Sequence, residues 1–190
     1  TSDSKTVGRK PNSLQLKPER HYVAVLCWEE EQVLGYLTDI CGSVAVTCRI
    51  AVKETDSYVE RSRALFDLEL LPAISPEKLL GICIVVPAMI DPDTREIFST
   101  SFHLPDRTES DIVGELAATF REYPGALLND TACTAYAEKV YTGIREKDFA
   151  FINFSRGIGA TLFIQDTMLG KATASYTQFG RYSIDPAGPL

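Results

Sequence analysis

Alternation of apolar and polar positions begins at Tyr22. Three stretches rich in β-branched and aromatic residues follow, 22–28, 33–39 and 44–52, parted by Glu29-Glu30-Glu31 and by Cys41-Gly42-Ser43. Such stretches with short, turn-compatible breaks predict three strands in an antiparallel meander. The spacing then changes. Val59, Ala64, Leu65 and Leu68 recur at helical intervals, which predicts a helix over 57–70. Residues 80–86, Leu-Gly-Ile-Cys-Ile-Val-Val, form an unbroken apolar run stopped by Pro87. A run of that kind predicts a strand buried on both faces, in a parallel part of a sheet. Residues 97–101 read as a short edge strand.

From Thr108 the period is helical again, with Ile112, Val113, Leu116, Ala117 and Phe120 on one face and Thr108 or Ser110 as the cap. Pro124-Gly125 ends that helix. Residues 126–128 are a short apolar strand delivering Asn129-Asp130 at its carboxyl end, and 131–141 a further helix with Gly143 in the C-cap position. Strands at 149–154 and 161–165 flank Ser155-Arg156-Gly157-Ile158-Gly159, which reads as a tight glycine turn. The order β-β-β-α-β-(β)-α-β-α-β-β is α/β, with an antiparallel start and a parallel continuation. Residues 1–20, polar and basic around Gly8-Arg9-Lys10-Pro11, have no face to bury and read as a linker or edge extension.

Composition narrows the class. The 190 residues are 45% hydrophobic and 24% charged, an ordinary globular mix that excludes disordered and collagen-like chains. No apolar run approaches the 18 or so residues a membrane helix needs. Asp and Glu outnumber Lys and Arg by 26 to 19, so a nucleic-acid backbone is repelled on balance. Five cysteines, Cys27, Cys41, Cys48, Cys83 and Cys133, include no C-x-x-C pair, and four of the five have apolar neighbours. That usage fits reduced, mostly buried thiols of a cytoplasmic protein. His21 and His103 are the only histidines, so neither a metal ligand set nor a Ser-His-Asp triad has support, and no cofactor is expected.

Asn129-Asp130 is the foremost candidate for chemistry. Open α/β sheets bind ligands outside the carboxyl ends of their strands, and an Asp there can accept a hydroxyl proton or hydrogen bond. The same pair also fits a plain helix cap. Gly157-Ile158-Gly159 fits either backbone amides near a phosphate or an ordinary hairpin, and the absence of a helix after it excludes a dinucleotide fingerprint. Glu29-Glu30-Glu31 reads as a solvated turn. Trp28, Phe102 and Tyr176 have rings that can stack on a sugar, though aromatics in this number mostly build core.

Several of these pieces together resemble the ROK family (repressor, open reading frame, kinase), whose members are bacterial sugar kinases and sugar-responsive transcription regulators. Gly8-Arg9-Lys10-Pro11-Asn12-Ser13-Leu14 resembles the segment joining the winged helix-turn-helix of ROK repressors to their sensor region. Leu37-Thr38-Asp39-Ile40-Cys41-Gly42-Ser43-Val44 looks like the family's second strand and turn, and the segment from Gly81 to Asp91 is similar to its G-I-G-V-P-G-x-V-D stretch. Leu128-Asn129-Asp130-Thr131-Ala132 matches N-D-x-N-A, and Arg156-Gly157-Ile158-Gly159-Ala160 matches T-G-I-G-A. The resemblance implies an actin-like ATPase, ribonuclease H-like fold: a mixed sheet whose first three strands are antiparallel, with flanking helices. It implies a linker over 1–20, a first lobe over 21–145 and the start of a second over 146–190. DNA contact would belong to a winged helix outside these residues, and the rest of the second lobe would follow Leu190. Sheet edge and apolar surface left exposed by an unfinished lobe favour self-association, so a homo-oligomer is expected.

Departures from the family pattern favour a regulator over a kinase. The D-x-G-G-T positions whose amides cradle ATP hold Cys27, Trp28, Glu29, Glu30 and Glu31. Each carboxylate costs about 1 kcal/mol or more against a polyphosphate at contact distance, even in water. The resemblance therefore implies a degenerate phosphate loop and no kinase activity. In the family, the Asn and Asp of the N-D motif bind sugar hydroxyls. Asn129 and Asp130 keep both groups, His103 stands at a family Asn, and Gln178-Phe179-Gly180-Arg181 stands where the family has E-I-G-H. Gln178 keeps a hydrogen-bonding amide, while Arg181 brings a permanent cation suited to a phosphorylated or acidic sugar. The expected partner is a sugar or sugar-phosphate effector bound by Asn129, Asp130, His103, Gln178 and Arg181; the alternatives are a sugar kinase, or a dimerisation module with a vestigial pocket.

Overall fold

The computed structural model describes residues 14–91, 93, 94, 96–100, 109–155 and 157–170. The meander is present as β1 (Tyr22–Glu29), β2 (Gln32–Asp39) and β3 (Val44–Ala51). β1 and β2 pair antiparallel from Tyr22 opposite Asp39 to Glu29 opposite Gln32, and β2 pairs antiparallel with β3. Strict alternation of burial along β1 and β2 sends Ala24, Leu26, Trp28, Val33 and Leu37 to one face, each at most 4% exposed. Asp39 ends β2 by accepting the backbone N–H groups of Ser43 and Cys41, at 3.0 and 2.8 Å, which holds its carboxyl below the usual range.

α1 (Tyr58–Leu65) starts at Ser57, whose hydroxyl accepts from Glu60 N–H. The single helix expected over 57–70 changes character at Phe66. Residues Phe66–Leu70 form a wider π turn, closed by Leu71 N–H on Phe66 C=O. The extra residue rotates the face. Leu65, Phe66 and Leu70 are buried, whereas Leu68, expected on the apolar face, is 70% exposed.

β4 (Leu79–Val86) lies parallel to β1, and β7 (Gly125–Asn129) parallel to β4, giving the sheet order β3-β2-β1-β4-β7. Burial of β4 on both faces holds only toward its carboxyl end, since Leu80 is half exposed. Gly81 lets the chain cross closely: a Cβ there would lie 2.5 Å from Pro124 O, the carbonyl that accepts from Ile82 N–H. Pro87 stops β4 at Val86, as the apolar run predicts. β5 (Ala88–Ile90) follows it and pairs with β6 (Ile97–Thr100), a partnership the sequence did not suggest. α2 (Glu109–Thr119) begins beyond Thr108, which lies outside the described residues.

α3 (Asp130–Tyr141) follows β7 directly, and Gly143 behind it takes φ 72, a left-handed position suited to glycine. β8 (Phe149–Phe154), β9 (Ile158–Ile164) and β10 (Thr167–Met168) make a separate three-stranded antiparallel sheet. Leu26 and Ile84 on one face of the sheet pack with Phe66 of the π turn and Phe120, just beyond α2, into a single core. α3 contacts β4 and β7 of the large sheet and β9 of the small one, so it lies between the two. The whole is α/β with a mixed sheet, as expected. Among the described residues no helix is long and apolar enough to cross a membrane.

Candidate functional site

Parallel β1, β4 and β7 end at one edge of the sheet, where the register sets Cys27 beside Val85 and Val86 beside Asn129. Glu29 and Asp130 therefore emerge on the same side, two strand spacings or about 10 Å apart. Asn129 is the last residue of β7 and also the N-cap of α3. Its Oδ1 accepts from Ala132 N–H at 2.9 Å, and its Nδ2 donates to Ala88 O at 2.8 Å and to Asp130 Oδ1 at 3.2 Å. Cap and junction are thus one residue, and its side chain ties β5 to the helix start.

Asp130 heads α3. Its Oδ1 also accepts from Thr131 N–H at 2.6 Å and lies 3.4 Å from the Thr131 hydroxyl. Burial pushes its carboxyl above the usual value of 3.8, against the pull of these donors and of the Asn129 amide. A carboxylate with a raised pKa is a better proton acceptor, and one set among oriented donors is a fixed acceptor for a hydroxyl. The junction can do either.

Three thiols share the neighbourhood of Asp130. Cys27, Cys83 and Cys133 come from β1, β4 and α3, and burial pushes them up to about 12, 11 and 12. After burial, the Cys83 thiol and the Asp130 carboxylate also raise both Cys27 and Cys133, so the four groups share one neighbourhood. All five cysteines are free; Cys41 is exposed and the other four are half-buried, where the sequence predicts mostly buried thiols. Among the described residues no set of three His, Cys, Asp or Glu side chains is placed to hold a metal ion.

Glu29 closes β1 opposite Gln32, and Glu30-Glu31 form a two-residue hairpin turn, with Glu31 at φ 63. Its main chain is held from α1. Tyr58 OH donates to Glu29 O at 2.8 Å and accepts from Glu31 N–H at 3.2 Å, while Val52 N–H donates to Glu31 O at 2.7 Å. Glu29 Oε2 accepts from the Gln32 amide at 2.7 Å. An amide already turned to a phenol, at a tip of carboxylates, is a poor cradle for phosphate.

The glycine turn is corrected in one respect. Gly157 sits in the turn, where its C=O accepts from Ser155 N–H, but Gly159 belongs to β9, opposite Asn153. Its role is close packing: a Cβ on Gly159 would overlap the Thr131 side chain in the first turn of α3. The small sheet thereby touches the helix start that carries Asp130. Lys139 adds a second tie, pairing with Asp166 at 2.6 Å above the stacked rings of Phe149 and Phe163. Trp28 is core, 4% exposed, with Nε1 donating to Ser62 Oγ at 2.8 Å. His103, Gln178 and Arg181 lie outside the described residues, as do Phe102, Arg156 and Tyr176. Tyr58 and the three clustered thiols were not singled out as a group by sequence. Only strand parity, Cys27 two positions before Glu29, hints at them.

The family model of the ROK family matches residues 72–190. A xylose repressor of Bacillus subtilis (strain 168) is 26% identical over 191 residues, covering 96% of this chain and 47% of that protein. A xylose repressor of Bacillus spizizenii is 23% identical, again over 96% of this chain and 47% of the relative. The chain thus spans about half the length of the curated relatives it matches. Among solved structures, a ROK family transcriptional regulator, a homologue of the E. coli MLC protein, superposes with a TM-score of 0.72 at 18% identity, over 90% of this chain and 43% of that one. A ROK family glucokinase from Streptomyces griseus, solved with glucose and AMPPNP, gives 0.68 at 15% identity, over 88% and 52%. These likenesses establish the actin-like fold.

Proposed function

Since the chain belongs to the ROK family, with a match over 72–190, we propose that it is the effector-sensing region of a ROK transcription regulator rather than a sugar kinase. The reading rests on a contrast at one sheet edge. Asp130, oriented by the Asn129 amide beside it, keeps a carboxylate suited to sugar hydroxyls, while the Glu29–Glu31 turn offers ATP carboxylates and an amide already held by Tyr58. The similarity to two xylose repressors supports the same choice. In this reading residues 21–145 form a first lobe and 146–190 begin a second, with a sugar or sugar derivative between them. His103, Gln178 and Arg181 complete its contacts, DNA is met by a winged helix outside these residues, and the regulator works as a homo-oligomer in the cytoplasm. Binding shifts a closure or assembly equilibrium that the DNA-binding part reads.

The raised carboxyl of Asp130 favours a second reading, a sugar kinase using it as general base. Melting temperature against neutral sugars, sugar phosphates and Mg-ATP separates the two. A ligand at 100 times its dissociation constant adds about 2.7 kcal/mol, a shift of several degrees at this size. The regulator reading expects a shift with one sugar class, lost in Asp130→Ala, and none with ATP. A shift with Mg-ATP, or turnover of ATP with any sugar, overturns it.

A further inference from the structure

A second concave site lies on the other face of the sheet, at the opposite end of β7 from Asp130. A groove of about 480 Å³ opens between α2 and β7. Leu116 and Phe120 of α2 and its following turn form one wall, Tyr123 one end, and Leu127 of β7 the floor. Gly125 at its margin is four residues from Asn129, or about 13 Å along the strand. Neither Asn129, Asp130 nor any of the clustered thiols lines it.

Its chemistry differs from that of the sugar-site candidate. The lining is aliphatic and aromatic, with no Asn, Asp, Ser or Thr to meet hydroxyls, and it carries one charged side chain, Arg121. The neighbouring carboxylate, Glu122, is engaged by Arg63 at 2.5 Å, and Arg63 is also bonded to Asp67 and to Thr119 O. A volume within the usual range for small-molecule pockets, two rings and a guanidinium at the exposed margin describe a complement for a flat apolar body with one acidic head. In a chain of formal charge −7, such an anion binds only where a local cation faces it, and Arg121 supplies one.

We infer that the α2–β7 groove is a binding site for an amphipathic anion of low molecular mass, an aromatic carboxylate or sulfonate, with its rings against Phe120 and Leu127 and its head at Arg121. The site is independent of the sugar reading, because it shares no residue with it.

The test uses 8-anilinonaphthalene-1-sulfonate and its neutral twin N-phenyl-1-naphthylamine, which has the same rings without the sulfonate. Expected are saturable one-to-one binding of the sulfonate and nuclear Overhauser contacts from its rings to the methyls of Leu116 and Leu127 in the unaltered chain. Arg121→Gln should weaken the sulfonate three- to tenfold and leave the twin unchanged. Ala117→Trp, at an exposed lining position, should block both. Dye contacts confined to other apolar surfaces, such as Phe154, overturn the site. An equal effect of Arg121→Gln on the two dyes overturns the ligand class. The Overhauser measurement needs no variant, so a misfolded Ala117→Trp does not shield the proposal.

Discussion

The tip of the β1–β2 hairpin and the β7–α3 junction share one edge of the same sheet, yet their polar groups are committed differently. At the hairpin, Tyr58 reaches across from α1 to take Glu29 O and Glu31 N–H, so the main chain of a turn rich in exposed carboxylates is braced internally. At the junction, Asn129 satisfies the main chain of the helix start and of β5, which leaves Asp130 as an acidic group surrounded by donors. One corner of the sheet edge is closed by an internal brace; the other is kept polar by one. Loss of one function therefore need not loosen the sheet edge, since each region has its own support.

Removing the junction's brace should have the largest effect. Asn129→Ala deletes a helix cap, costing about 1 kcal/mol, and leaves Ala88 O buried without its donor, costing about 1–3 more. A loss near 3 kcal/mol lowers the melting temperature by about 6–12 °C at this size, read by thermal or urea unfolding. A drop under about 2 °C would show that the amide is not what joins β5 to α3. Gly159→Ala comes next. It forces a methyl onto Thr131, an overpacking of about 1–3 kcal/mol. Thr131→Ala in the same chain should restore much of that loss, and a double-mutant cycle with no coupling would separate β9 from the junction. The hairpin brace is weaker, because the turn is partly open to water. Tyr58→Phe should cost about 1 kcal/mol, roughly one net hydrogen bond, without creating affinity for Mg-ATP, since Glu29, Glu30 and Glu31 remain.

The two regions were also unequally legible. That Asn129-Asp130 stands at a strand's carboxyl end follows from local pattern, an apolar run meeting a helical one, and of its two readings the structure shows the cap: Asn129 caps the helix that Asp130 begins. The hairpin turn was legible as a turn, but its brace was not, because Tyr58 lies 27 residues beyond Glu31 and only the sheet order brings α1 over it. Likewise Cys27, Cys83 and Cys133 become a group only once β4 is placed between β1 and β7 and α3 laid across them. Burial of Leu70 in place of Leu68 was hidden too. A π turn has no local signature distinct from the α pattern that precedes it, and only packing against the sheet selects it. Gly159 looked like part of the turn until the pairing of Phe154 with Ile158 fixed where the strand resumes.

The smallest effect is the one of opposite sign, and it bears on why the junction is kept acidic at all. Burial raises the carboxyl of Asp130 above its ordinary value, so the folded chain holds this proton more tightly than the unfolded one. Between the two titrations the unfolded state has released a proton that the folded state retains, and stability falls as pH rises through that window. Below it both states are protonated and the penalty is absent; above it the penalty is complete. Asp130→Asn removes the charge and keeps an acceptor toward Thr131 N–H. It should melt slightly higher than the original at pH 7 and at the same temperature near pH 3, where the original carboxyl is already neutral. The same variant should lose the sugar-dependent shift at every pH. Stability gained at neutral pH together with binding lost would mark Asp130 as a group retained for its ligand at a cost to the fold. A variant that melts lower at pH 7 would instead make the carboxylate a structural acceptor, and the junction would then differ from the hairpin only in which side chain braces it.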